Sequence, residues 1–204
     1  MMQFGRTEYT EEDYVKVAKD YIYEKYNNTV DCNYKVVVDN KVYIYIDQKG
    51  YDDIPYNYLD SLILLDKETK KIIHAKLKMN PEVDERYNDG NPLPLIKIPD
   101  FINKSIYNGK YNINESDVKV SQKGKHKNYY EIDNAPFILK EKIKNMIDVK
   151  KMFEPITNNN KGNVYELAYF IDFIDENYDN YSMILFAFTK KLKKVTKNGR
   201  RLKL

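Results

Sequence analysis

The sequence predicts an α+β protein of two small units, each with a helix packed on an antiparallel sheet, followed by a basic C-terminal tail. Amphipathic helical periodicity appears once in each half, next to runs of β-branched and aromatic residues that turn-forming residues separate. A proline-rich stretch divides the halves, and the last fifteen residues carry eight Lys or Arg and no acid. The predicted parts are residues 1 to 80, a linker at 81 to 99, a domain at 100 to 189 and a tail at 190 to 204.

The first element is a helix that begins at Thr10. Thr10 can cap the free backbone N–H groups, and Asp13 stands at the capping-box position. Apolar residues then recur at helical spacing on one face, and Asn27 follows them as a stop signal.

Two β-hairpins follow the helix. Asp39 and Asn40 separate two β-branched runs, which predicts a tight turn. A second turn at 66 to 69 separates "LILL" from "KKIIHAKLKM". In that last strand, alternation places Ile73 and Ala75 on the face opposite His74.

Four of the seven prolines lie between residues 80 and 100, which predicts a loop or linker there. Beyond it we expect a short helix from Asp100 to Gly109 and a strand at "DVKVS". A second long helix is predicted over 134 to 153, with strands at "VYELAYFIDFI" and "SMILFAF" after it.

The composition limits the cellular environments and partners that suit the protein. The chain of 204 residues carries +3, but the last fifteen residues carry +8, which leaves about −5 for the body. The single Cys32 excludes an internal disulfide framework, and the longest apolar run, 183 to 188, is far too short for a membrane span. We therefore expect a cytoplasmic protein with no membrane association. Twenty Tyr and no Trp, with abundant Asn, Lys and Ile, suit an AT-rich genome.

The chain lacks the motifs of common enzymes. It has no glycine-rich phosphate loop, paired-cysteine metal site or nucleophile elbow, so we predict no catalytic residue, metal or cofactor. Asp52, Asp53 and Asp60 could hold a divalent cation, although a polar loop between hairpins explains them as well. His74 is expected on the surface and Cys32 in a packed position.

Two basic segments are the candidate nucleic-acid contacts. A glycine among several cations can hold phosphate, and residues 121 to 128 have that composition. The cations of the C-terminal tail are too dense to pair internally, which predicts an acidic partner. The candidate residues are Lys123, Lys125, His126, Lys127, Lys190, Lys191, Lys193, Lys194, Lys197, Arg200, Arg201 and Lys203.

The segment from about 135 to 197 resembles the RelE/HigB group of ribosome-dependent mRNA-cleaving toxins. The matching motifs are a Tyr-Glu-Leu strand and a later strand of the form hydrophobic-Phe-x-Lys-Lys. The residues that match are Tyr165, Glu166, Leu167, Phe188, Lys190 and Lys191. The family commonly has Arg after that Leu, whereas this chain has Ala168, which puts stabilisation of a phosphate transition state in doubt.

Three functions are consistent with the sequence. The first is a non-catalytic protein that binds RNA or a ribonucleoprotein, with the ribosome favoured, through the basic tail. The second, which the resemblance implies, is a RelE-like endoribonuclease. The third is a viral or mobile-element interaction module whose acidic, Tyr-rich body contacts another protein. The missing catalytic constellation favours the first.

Overall fold

A computed structural model describes residues 9–27, 30–86, 90–122, 125, 127–132, 147–156, 164–175 and 177–203. The chain divides into two compact units, Met1–Val83 and Asp84–Leu204. The described part contains twelve strands and two α-helices. The predicted fold class is therefore wrong, because the protein is built mostly from sheet rather than from two helix-on-sheet units.

The first unit contains one helix and four strands. These are α1 (Glu11–Tyr26), β1 (Cys32–Val38), β2 (Val42–Lys49), β3 (Pro55–Leu65) and β4 (Ile72–Lys76). The strands pair antiparallel in the order β1-β2-β3-β4, and both predicted hairpins are confirmed.

Helix α1 begins as its cap residues predict. The Thr10 side chain accepts a hydrogen bond from the Asp13 N–H, and the Asp13 carboxylate accepts one from the Thr10 N–H at 2.8 Å. Asn27 ends the helix in the left-handed conformation. The buried Tyr14, Ala18 and Ile22 share a core with the inward side chains of β2 and β3.

One detail of the second hairpin differs from the sequence prediction. The pairing of β3 with β4 shifts between Leu64 and Leu65, so Leu65 pairs with Ile72. Ile72 and Ala75 consequently pack against the core, while Ile73 is 49% exposed. A bulge of this kind moves the alternation by one residue, which local spacing does not reveal.

The second unit contains the remaining helix and eight strands. These are β5 (Asp84–Arg86), α2 (Ile98–Ile106), β6 (Val118–Gln122), β7 (Lys127–Ile132), β8 (Ile147–Pro155), β9 (Val164–Ile174), β10 (Asn180–Phe186), β11 (Leu192–Lys197) and β12 (Arg200–Arg201). Strands β6 to β12 pair antiparallel in chain order. Strand β5 runs parallel to the start of β9.

The second long helix is the main error of the sequence prediction. Residues 147 to 153 belong to β8, which pairs with β9 from Ile147↔Phe173 to Pro155↔Tyr165. Val149 and Phe153 are buried on this strand. The rest of the predicted helix, 134 to 146, lies outside the described residues.

The proline-rich stretch is anchored to the second unit. The Leu93 side chain is buried in its core, and the Leu93 N–H donates to the Ala187 carbonyl at 2.7 Å. The Leu93 carbonyl accepts a hydrogen bond from the Tyr169 hydroxyl at 2.8 Å. The predicted short helix is confirmed as α2, which begins two residues earlier than expected.

Candidate nucleic-acid interface

The residues predicted as a tail form part of the sheet of the second unit. Strand β11 pairs with β10, and strand β12 folds back on β11. Val195, in the middle of β11, is completely buried, and the Leu202 N–H donates to its carbonyl at 2.9 Å. The cations of this segment are therefore held on a hydrogen-bonded ladder.

A β-bulge redirects one of these cations. Leu192 pairs with Leu185 and Lys194 with Ile184, so Lys193 is the extra residue of β11. Its Nζ lies 2.8 Å from Glu154 Oε1 on β8 and donates to the Pro155 carbonyl at 2.6 Å. Glu154 is fully buried and the Lys193 side chain is 13% exposed.

This cross-sheet ion pair, Lys193–Glu154, joins strands that are not neighbours. Strands β9 and β10 lie between β8 and β11. The lysine side chain passes over β10, where its Nζ is 6.0 Å from the centre of the Phe186 ring. The ion pair therefore links β8 to β11, the strand that carries part of the basic segment.

A second cation of the segment is also paired. Lys197 Nζ lies 2.6 Å from an Asp179 oxygen and 5.6 Å from the centre of the Tyr181 ring. Hydrogen bonds from Lys197 and Asn198 lower the pKa of Asp179, and the hydrogen bond to Asp179 raises the pKa of Lys197. The prediction that the tail cations do not pair internally is wrong for Lys193 and Lys197.

The buried Glu166 closes the turn between β10 and β11. Its Oε1 accepts hydrogen bonds from the backbone N–H groups of Phe188 at 3.2 Å and Thr189 at 3.0 Å. Glu166 also lies directly opposite Glu154 in the β8–β9 ladder. One carboxylate thus holds a turn and the other holds Lys193, so both buried acids next to the basic segment have structural partners.

A cleft of about 500 Å³ opens beside Glu166 and Lys193. It is lined by Arg86, Ile156, Glu166, Phe186, Thr189, Lys191, Leu192, Lys193 and Arg201. Arg86 reaches it because β5 pairs with β9 in a register that places Arg86 opposite Glu166. We call this the basic cleft. Arg86, Lys191 and Arg201 are exposed at its rim, and none of them forms an ion pair with a described residue.

The other predicted contact residues flank the cleft or lie elsewhere. Lys190 sits in the turn before β11 with a positive φ of 56°, and it is exposed. The remaining exposed cations of the segment are Lys194, Arg200 and Lys203. In the other basic segment Lys125 is exposed and Lys127 begins β7, whereas Lys123 and His126 lie outside the described residues.

Sequence reasoning missed Arg86 and Glu154. Arg86 lies in the stretch that was predicted as a linker, and only its parallel pairing with β9 brings it to the cleft. Glu154 immediately follows the predicted second helix, where nothing local marks it as the partner of Lys193. Long-range strand pairing places both residues.

The other residues singled out from the sequence have ordinary environments. Asp53 pairs with Lys49 at 2.7 Å and Asp60 with Lys78 at 3.4 Å. No group of side chains able to hold a metal ion occurs among the described residues. Burial raises the pKa of the Cys32 thiol to about 11, which suits a packed thiol rather than a nucleophile. His74 is exposed on β4.

Comparison with known proteins gives little guidance. No known protein family matches the chain, and no curated protein matches it. Among solved structures it is similar to the Bacillus megaterium YpeB C-terminal domain, with 14% sequence identity over 93% of this chain and a TM-score of 0.37. The chain spans 65% of that structure's length, and a TM-score this low does not establish a shared fold or function. Of the described helices, none is long and apolar enough to cross a membrane.

The predicted resemblance to RelE/HigB toxins is wrong. No model of a known protein family matches the chain. The residues of the motif serve the fold instead: Tyr165 is buried, and Glu166 binds the backbone of the β10–β11 turn. Burial, and then the charge of Glu154, raise the pKa of Tyr165.

Proposed function

We propose that the protein is a non-catalytic RNA-binding protein that contacts phosphate through the basic cleft and the exposed cations of β11 and β12. The observation that carries this proposal is the convergence of Arg86, Lys191 and Arg201 on one cleft, from three separate strands or turns. Lys193, which is held by Glu154, supplies the floor between them.

The distribution of charge supports an anionic partner. The second unit has 22 Lys or Arg against 16 Asp or Glu, a net charge of +6, whereas the first unit has 12 against 15, a net charge of −3. Cations that lack internal partners gain energy by displacing the counterions of a polyanion. Arginine adds a planar fork that binds two phosphate oxygens at once. A ribosome or another ribonucleoprotein presents the dense phosphate that such a surface requires.

Glu166, the acid that lines the cleft among the described residues, binds backbone N–H groups, which supports RNA binding rather than cleavage. General base catalysis needs a group that can accept a proton from the attacking hydroxyl. Glu166 Oε1 accepts hydrogen bonds from two backbone N–H groups, and Glu154 is fully buried and paired with Lys193. We therefore propose that bound RNA leaves the cleft unaltered.

The test is the salt dependence of binding to a labelled single-stranded oligouridine. If five cations engage phosphate, log K should fall with log salt at a slope of about −3.5. The double variant Lys191→Ala/Arg201→Ala should reduce that slope by about 1.4, since each contact contributes roughly 0.7. The control Lys41→Ala/Lys71→Ala removes two exposed lysines from the first unit and should leave the slope unchanged.

Two outcomes would contradict the proposal. Equal RNA affinity of the cleft double variant and the wild type would exclude the cleft as the binding surface. Shortening of the oligonucleotide during incubation would exclude a non-catalytic role. Co-sedimentation with ribosomes, lost in the cleft variant and kept in the control, would assign the ribonucleoprotein partner.

A further inference from the structure

Strand β1 is the free edge of the first unit's sheet. Among described residues it pairs only with β2. The Asp31 carbonyl accepts from the Lys49 N–H at 3.0 Å, and the Asp39 N–H donates to the Lys41 carbonyl at 2.9 Å. In an antiparallel ladder the residues that bond to the partner strand alternate, so odd-numbered residues of β1 bond to β2.

The even-numbered residues of β1 therefore direct their backbone groups away from the sheet. No hydrogen bond within the described part of the chain uses the N–H or carbonyl groups of Tyr34, Val36 or Val38. An edge of this length without proline is a template for another strand. Its backbone groups can supply the hydrogen bonds of an added strand without disturbing β2.

A groove runs beside this edge, between α1 and β1. It has a volume of about 500 Å³, and its lining includes Lys19, Tyr23, Cys32 and Tyr34. Tyr23 is 58% exposed, and Lys19 Nζ lies 5.6 Å from the centre of the Tyr34 ring. A strand added to β1 would place every second side chain over this groove, because the side chains of Cys32 and Tyr34 point to the α1 face.

The charge of Lys35 determines which strand can be added. Lys35 projects from the opposite face, where it is exposed and forms no ion pair with a described residue. If two copies of β1 paired antiparallel over all seven residues, through their even-numbered backbone groups, Lys35 would lie directly opposite Lys35 of the other copy. Like charges at directly opposed positions are unfavourable. The full-length register of self-pairing is therefore disfavoured, and a segment with an acid at that position is favoured.

We propose that β1 and the α1–β1 groove form a docking site for an extended peptide segment of a partner protein. The segment adds as an antiparallel strand, places every second side chain over the groove and places an acidic residue opposite Lys35. This site belongs to the first unit and shares no residue with the proposed RNA-binding cleft.

The experiment measures fluorescence anisotropy of two labelled seven-residue peptides that alternate valine and threonine, one with a central glutamate and one with a central lysine. The full-length protein should bind the glutamate peptide about fivefold more tightly than the lysine peptide. An opposite-charge pair across two strands stabilises by roughly 0.2–1 kcal/mol, and a like-charge pair destabilises by a similar amount. The Lys35→Glu variant should reverse the preference. Lys76 on β4 is aligned with Lys35 across the four paired strands. The control variant Lys76→Glu makes the same charge change away from β1 and should keep the wild-type preference.

A backbone variant tests strand addition itself. Val36→Pro removes an N–H that points away from β2, so it should abolish binding of both peptides. The variant also loses packing of Val36 against the core, so its melting temperature should fall, but far-ultraviolet circular dichroism should show that the first unit is still folded. Unchanged binding to Val36→Pro would overturn strand addition. Failure of the wild type to bind at about 1 mM peptide, the range of weak encounters, would overturn the site. Dimerisation of the wild type that Val36→Pro abolishes would show that a second copy is the occupant and would overturn the proposed partner.

Discussion

Removal of the cationic end of the cross-sheet ion pair, in Lys193→Met, should destabilise the second unit strongly. At 2.8 Å the two charges attract by about 6 kcal/mol at an effective dielectric constant near 20, before the cost of desolvating them. Methionine keeps most of the side-chain volume but leaves the fully buried Glu154 without its cation. Breaking one side of a buried pair typically costs about 3–5 kcal/mol. The loss should be measured as the free energy of unfolding in urea, followed by near-ultraviolet circular dichroism of tyrosine.

Two control variants separate the buried ion pair from a simple loss of charge. Lys194→Met removes the same charge from the adjacent exposed position and should change the free energy of unfolding by less than about 0.5 kcal/mol. Lys193→Met/Glu154→Met removes both charges and should recover most of the loss, since a buried pair can be replaced by apolar groups at little cost. A loss from Lys193→Met no larger than that from Lys194→Met would refute the inward orientation of Lys193.

Three further predictions follow from the structure. Glu166→Ala should destabilise the second unit by about 1–3 kcal/mol for each of the two N–H groups left without an acceptor, and Glu166→Gln by less than half as much, both by urea unfolding. Hydrogen bonds from Thr10 lower the pKa of Asp13, so the unfolded state binds more protons near pH 4. The contribution of Asp13 to stability should therefore be present at neutral pH and be lost as pH falls through its lowered folded-state pKa. Asp13→Asn should remove that part of the pH dependence of the melting temperature. Deletion of residues 190 to 204 should unfold the second unit, as seen by far-ultraviolet circular dichroism, because it removes the buried Val195 and the β11 ladder.

The elements that the sequence predicted correctly are those whose signals are local. The capping box at Thr10 and Asp13 contains everything needed to begin α1. The turn at Asp39 and Asn40 likewise lies between two strands that pair with each other. In both cases the contacting residues are within a few positions of each other along the chain, so the local sequence pattern is enough to predict the contacts.

The errors arose where distant pairing decides the structure. Residues 147 to 153 can be fitted to helical spacing, but seven pairs with β9 stabilise them as a strand. In the basic segment, the density of lysine obscured the buried Val195, which marks β11 as part of the core. The cleft could not be predicted for the same reason, because Arg86 joins it only through strand pairing.

The parallel pairing of β5 with β9 has a consequence for synthesis of the chain. Asp84 pairs with Val164, 80 residues further on, so β5 emerges from the ribosome without a partner. At about 5–20 residues per second, β9 follows roughly 4–16 s later. The first unit can close its hairpins during this interval, since all of its strands precede β5. The basic cleft needs both Arg86 and Arg201, so its lining is complete only once the chain has been synthesised through Arg201.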